Sequence, residues 1–369
     1  MYVQTLIIIL GFFALKIFQQ IGSEENQVCQ HKRYIIFMML LLILQSGLRH
    51  MSVGTDTYPY YLHFFLDVEK SSWQSLWNEC LDYFNSGTGK DPGYRLFLKA
   101  IQYVLPTFQL YLLGLAAFVF YGLGKLLVRY TSSNYEVLLA MALYQCLYYS
   151  FFSITGLRQT MATGFLFLAI PYVVKRKPVR FIFLVLLAAT QHKSALLFMP
   201  IYFLPHIEHS RTMLAASLVM FLPMWKYGTH IANWLMMGST FDQYANYLES
   251  YEGAGAYGFS AFIILLGVLL IYYHKEVVSN NRDSNLVLNS IAVAICLTPL
   301  TMTNPSNMRI VQYYSFFALF ALPWVVSKIK ISNVETRYII ITILLTIYTL
   351  SRGSYYAFFW QDIAMGTNY

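Results

Sequence analysis

Apolar runs recur along almost the whole chain, separated by short polar breaks. They cover residues 2–18, 34–48, 106–128, 135–152, 157–174, 179–190, 195–204, 212–225, 258–273, 286–300, 310–326 and 338–350. The pattern predicts an all-α polytopic membrane protein with about 12 transmembrane or re-entrant helices. No internal repeat or low-complexity linker divides them, so residues 1–369 read as a single integral membrane domain. Two polar–aromatic intervals are too long to be turns, 49–105 and 226–257. The first holds "SSWQSLWNECLDYF" and the amphipathic "GYRLFLKAIQYVL"; the second holds "FDQYANYLESYEGAGAYG". Both predict extracytoplasmic loops whose helices lie on the membrane surface.

Composition agrees: the chain is 57% hydrophobic and 11% charged, against about a quarter charged in soluble domains. Residues 1–18 lack a basic leader and a small-residue cleavage site, so they read as the first span. The four cysteines are scattered without a CxxC pair, which argues against disulfide or metal frameworks. "HIEH" (His206–His209) mimics a ligand pair, but it lies in a short inner loop. "YGLGK" lacks the P-loop spacing. Neither metal, cofactor nor nucleic acid is expected.

Charge sets the orientation. With the N-terminus outside the cytoplasm, most basic residues fall on the inner side, the short "VKRKPVR" loop most clearly. The whole +8 excess then lies on the inner face and the outer face is neutral. The interval 179–205 tests this topology. One long helix would bury His192 and Lys193 mid-span, a central charge costing at least about 2.5–3.5 kcal/mol. A hairpin of two short helices with "QHKS" at its tip avoids that cost, and places the tip in protein or a wet cavity.

In this topology four polar motifs share the outer side: "RHMSVGTDTYPYY" from Arg49, "TGLRQT" around Arg158 and Gln159, "QHKSA" with His192 and Lys193, and "NPSNMR" ending at Arg309. Each puts a cation at an outer helix end, against the positive-inside bias. An anion at headgroup level is the natural partner. Arg49 alone could snorkel to headgroups, and Lys193 could reach the surface. Asp56 could cap the helix that begins "YPYY", or serve as a catalytic or acceptor-binding carboxylate. Tyr58, Tyr61 and Phe65 share one helical face, suited to an interfacial aromatic belt or to a sugar-stacking platform. Arg158 at a helix start opposes the helix dipole, a placement that favours function over stability.

The ordered set Arg49 with Val53-Gly-Thr-Asp-Thr, Gly156-Leu-Arg-Gln with Ala162, and His192-Lys-Ser-Ala resembles the EpsG-like branch of the Wzy-type polysaccharide polymerases. "NMR" followed by Tyr313-Tyr314, and "DPGY" from Asp91, also resemble family positions, the latter with Asp where the family more often has Glu. The resemblance runs from about residue 40 to 323. It implies a polymerase at the outer face of the bacterial inner membrane. Such an enzyme joins undecaprenyl-diphosphate-linked oligosaccharide repeat units into O-antigen, capsule or exopolysaccharide. Its partners would be those lipid-linked units, membrane lipids and a chain-length regulator protein.

The sugar–diphosphate bond already carries the driving force, so the reaction needs positive charge at the leaving group and a base for the incoming hydroxyl. Arg49, Arg158 and Arg309, with Lys193 assisting, suit the diphosphates; Gln159, Tyr58 and Tyr61 are further substrate-binding candidates. His192 or Asp56 would be the base. A lipid-linked oligosaccharide flippase and an O-antigen ligase-type transferase are the rival readings. The flippase should carry ionisable residues at mid-membrane depth.

Overall fold

A computed structural model describes residues 2–18, 24–54, 56–86, 89, 91–150, 154, 156–236, 255–281, 283–353 and 355–363. The chain divides into two compact units, one of Met1–Tyr172, Val179–Leu196 and Tyr338–Tyr369, the other of Val173–Pro178 and Leu197–Arg337.

The first unit opens with α1 (Val3–Phe18) and α2 (Glu24–Gly47), joined where the Tyr34 hydroxyl donates to the Gly11 carbonyl at 3.0 Å. After the Arg49 turn the chain runs as α3 (Thr57–Tyr60), a π-helical stretch Tyr61–Leu66 and α4 (Asp67–Lys70). Two short helices follow, α5 (Trp73–Ser86) and α6 (Pro92–Gln102). On α5, Leu76 and Cys80 are buried while Trp73, Trp77, Leu81 and Phe84 form an exposed stripe. An apolar stripe at helical spacing on a short polar helix suits an interfacial setting.

Three further helices carry the apolar bulk of this unit: α7 (Phe108–Tyr130), α8 (Asn134–Leu143) and α9 (Leu157–Val174). Thr107 and Ser133 cap α7 and α8, each side chain accepting from a backbone N–H three residues on, as N-cap residues do. A buried pair, Gln45 and Gln145, satisfies its amides mutually, with Gln145 Nε2 donating to Gln45 Oε1 at 2.7 Å. The last helix of this unit in this stretch is α10 (Pro178–Gln191).

In the second unit, α11 (Ser210–Met236), α12 (Tyr257–Tyr272), α13 (His274–Asn280) and α14 (Ser284–Thr303) precede α15 (Met308–Ser315) and α16 (Ala318–Val326). α14 is buried and packs on α11, α12 and α15. Several of its polar side chains donate within the unit. Ser290 Oγ donates to the Leu286 carbonyl at 2.7 Å, and Asn289 Nδ2 donates to the Leu204 and Ile207 carbonyls, both at 2.8 Å. The chain then returns through α17 (Val334–Arg352) to the first unit, where the Tyr356 hydroxyl donates to the Gln45 carbonyl at 2.7 Å.

Among the described residues five helices are long and apolar enough to cross a membrane: Asn26–Gly47 within α2, α7, α9, α14 and α17. Counting the bent pairs α12–α13 (81°) and α15–α16 (48°) as one span each gives seven. The protein is a multi-pass helical membrane protein with fewer regular spans than apolar runs, because several runs are interrupted. The run at 135–152 is divided between α8 (Asn134–Leu143) and a π-helical turn, Tyr144–Tyr148. The run at 195–204 lies in a 3-10 helix, Lys193–His206, which contains Pro200 and Pro205. Proline lacks the N–H that an α-helical ladder needs. The helix break expected at "QHKS" is present, with α10 ending at Gln191 and the 3-10 helix starting at Lys193. Of the loop 226–257, residues 226–236 belong to α11, and 237–254 lie outside the described residues.

Candidate functional site

The site is built around a residue to which the sequence pattern assigns no role, Asp91. Its backbone sits in the left-handed region (φ 48°, ψ 57°) at the N-cap of α6. That region costs a non-glycine residue about 1–2 kcal/mol, least for Asp and Asn. Pro92, at the first helical position, has its φ preset for a helix start. The Asp91 side chain makes no capping hydrogen bond to α6. It points instead to the end of α10 and the start of α9.

Three donors converge on this one carboxylate. Arg158 Nη1 lies 3.1 Å from Oδ2, His192 Nδ1 lies 3.0 Å from the same oxygen, and the Lys193 backbone N–H donates to Oδ1 at 3.0 Å. Asp91 and His192 are buried, and the Arg158 side chain is 17% exposed. Burial by itself would raise the carboxyl pKa. The hydrogen bond from His192 (and its charge when the ring is protonated), the Arg158 charge and the Lys193 N–H outweigh it and hold Asp91 below its ordinary range. Asp91 is therefore an anion at neutral pH. An ionised carboxylate at Nδ1 requires the proton on Nδ1, which leaves Nε2 as the nitrogen that can accept one.

The glycine of "DPGY" explains how Asp91 comes so close. A Cβ on Gly93 would lie 2.7 Å from both Cβ and the carbonyl oxygen of Thr190, near the end of α10. Only a bare Cα lets α6 approach α10 this closely. Gly93→Ala should therefore part Asp91 from His192, and misplacements near 1 Å cost about 100-fold in rate. The check is turnover measured beside a melting curve: a folded variant with unchanged turnover would refute the packing argument. The fourth residue, Tyr94, is buried, with its hydroxyl 2.8 Å from that of Tyr111.

Arg158 is held from a second side. Its Nε donates to the Tyr60 hydroxyl at 3.1 Å, and its guanidinium lies 5.2 Å from the Phe64 ring centroid and 5.9 Å from that of Tyr60. Tyr60 and Phe64 stack with centroids 4.9 Å apart. Tyr60 and Phe64, at i and i+4, form this wall. Tyr61 packs on Phe108 of α7 at 5.2 Å, and Tyr58 lies 6.4 Å from Tyr61. The rings bordering the cation are thus Tyr60 and Phe64, not the Tyr58 and Tyr61 that the sequence marks.

Asp56 occupies the N-cap position of α3 but makes no side-chain cap. Its Oδ2 accepts from the Gly156 backbone N–H at 3.1 Å, two residues before Arg158. Gly54, with φ 87°, lies so near Ile154 that a Cβ would fall 1.8 Å from Cγ2. The "VGTDT" turn thus docks on the segment that starts α9 and fixes where Arg158 emerges. Gln159 is buried on the first turn of α9. The Lys193 ammonium lies 5.8 Å from the Tyr83 ring centroid.

Arg49 has a different setting. Its side chain is 1% exposed, Nη1 donates to the Ser46 carbonyl, and its backbone bridges to Phe358. Among the described residues Nε and Nη2 are buried without a hydrogen-bond partner, and burial pulls the guanidinium pKa down, against the opposing influence of Tyr149, Tyr356, Tyr111 and Tyr144. Arg309 belongs to the second unit, half-buried on α15. The Asp91 cluster is made entirely by the first unit. Among the described residues no group of three or more His, Cys, Asp or Glu side chains is placed to hold a metal ion.

The model of the EpsG family covers residues 32–363. No curated protein and no solved structure matches the chain.

Proposed function

The chain belongs to the EpsG family, and on that premise we propose that it is a membrane polymerase joining undecaprenyl-diphosphate-linked oligosaccharide units, with the Asp91 cluster as its active centre. One observation carries the reading: a single buried carboxylate oxygen holds both the Arg158 guanidinium and His192 Nδ1. That arrangement aligns a cation and a base side by side, as glycosyl transfer from a lipid diphosphate requires.

In this reading His192 is the base rather than Asp56, because Asp91 orients its ring and stabilises the imidazolium it becomes. Nε2 takes the proton of the acceptor hydroxyl. The hydroxyl oxygen bonds to the anomeric carbon of the donor glycan, and the bond from that carbon to the diphosphate oxygen breaks. The electron pair leaves on the undecaprenyl diphosphate. Arg158, with the Lys193 ammonium, meets the negative charge as it builds, which needs no metal. Asp56 and Gly54 position Arg158. Arg49, buried and bonded back to the Ser46 carbonyl, supports the turn that carries them rather than touching the diphosphate. The charge asymmetry of the loops supports an active centre on the outer face of the bacterial inner membrane.

The deciding experiment is a gel of surface glycan from a deletion strain. A polymerase defect collapses the ladder to single repeat units displayed outside the cell, and plasmid-borne protein restores it. Units retained on the cytoplasmic side would point to a transporter instead. Long chains left on their lipid carrier would point to a ligase.

A further inference from the structure

We propose that the cavity beside Arg158 is a sugar subsite, and that Glu79 and Asp82 make it select uncharged over acidic sugars. This rests on the polymerase reading above. The cavity measures about 390 Å³ and is walled by Phe64, Glu79, Asp82, Pro92, Arg95 and Arg158. That is the lower end of the range for small-molecule sites, a size for a sugar or two and not for a lipid tail.

Its chemistry divides the labour with the Asp91 cluster. With Glu79 paired to Arg95, Asp82 is left to repel a diphosphate from the α5 side, so the charged leaving group belongs at Arg158 and Lys193. Ionised carboxylates only accept hydrogen bonds, and sugar hydroxyls can donate to them. Glu79 forms an ion pair with Arg95, Oε2 to Nε at 3.1 Å. Asp82 is exposed and has no ion pair among the described residues. A uronic acid entering here would meet that unneutralised charge, a repulsion that discriminates without any lost contact. Arg158 is shared: it lines the cavity and bonds Asp91. A sugar seated in the cavity is therefore delivered beside the Asp91–His192 pair.

The test uses the full protein in lipid nanodiscs, with its lipid-linked repeat unit as donor and the same oligosaccharide, released from lipid, as acceptor. Asp82→Asn should raise the KM for one of the two by about 5- to 50-fold with kcat held. A rise for the free oligosaccharide places the acceptor sugar in the cavity, and a rise for the lipid-linked donor alone places the donor sugar there. A uronic-acid disaccharide should inhibit Asp82→Asn but not the unaltered protein, whereas a neutral disaccharide should inhibit both. Unchanged KM for both substrates, or equal inhibition by acidic and neutral disaccharides throughout, overturns the subsite. Those outcomes leave the polymerase reading standing as long as Arg158→Ala remains inactive; an active Arg158→Ala would remove the reading itself.

Discussion

Replacing Asp91 by Asn should lower polymer formation by about three to four orders of magnitude, the scale seen when an orienting carboxylate is removed from a histidine base. The change keeps the side chain's size and removes its charge. The substituted amide would offer one acceptor oxygen where two now serve Arg158, His192 and Lys193. Its NH2 group would then face a buried donor, and one of the three must lose its partner at about 1–3 kcal/mol. Asp91→Glu restores the charge, and should retain measurable polymerisation that Asn does not. The measurement is incorporation of labelled lipid-linked units by purified protein, with a melting curve to confirm folding. A folded Asn variant of normal activity would remove Asp91 from the mechanism.

Arg158→Ala is the second large effect. It deletes the cation nearest the proposed leaving group and leaves Asp91 short of one partner. Removal of one donor from a charge-stabilising site costs about 100- to 1,000-fold, and the unbalanced carboxylate should add to that. Cells carrying the variant should accumulate single repeat units and lose long chains. Arg158→Lys should recover little. A lysine is a point charge on a flexible stem and cannot hold Asp91 and the Tyr60 hydroxyl together as the planar fork does. Long chains of normal length from a well-expressed Ala variant would sink the assignment.

How much of this is legible in the chain depends on whether the signal is local. Hydropathy locates the regular helices closely: 157–174 is α9, and 106–128 lies almost wholly within α7 (Phe108–Tyr130). It fails where the backbone departs from α geometry. The Tyr144–Tyr148 π turn has no mark in an apolar run, whereas the prolines at 200 and 205 do warn of the 3-10 stretch. Arg158, His192 and Lys193 are legible because each opposes the charge expected of its place. Asp91 is not, since an acid in a polar loop opposes nothing. Its partner His192 is 101 positions away, and no spacing rule reaches that far. Only "DPGY" marks it, as a turn with a proline to set the helix and a glycine to let it approach.

The carboxylate that unites the cluster rides on α6, which is too short to cross a bilayer, while Arg158 and His192 stand at the ends of longer apolar helices. Sliding α6 by even part of a helical turn would sever all three bonds to Asp91 together, since they share one small group. The three bonds therefore stand or fall together, so a substitution that displaces α6 should cost all of them at once rather than one at a time.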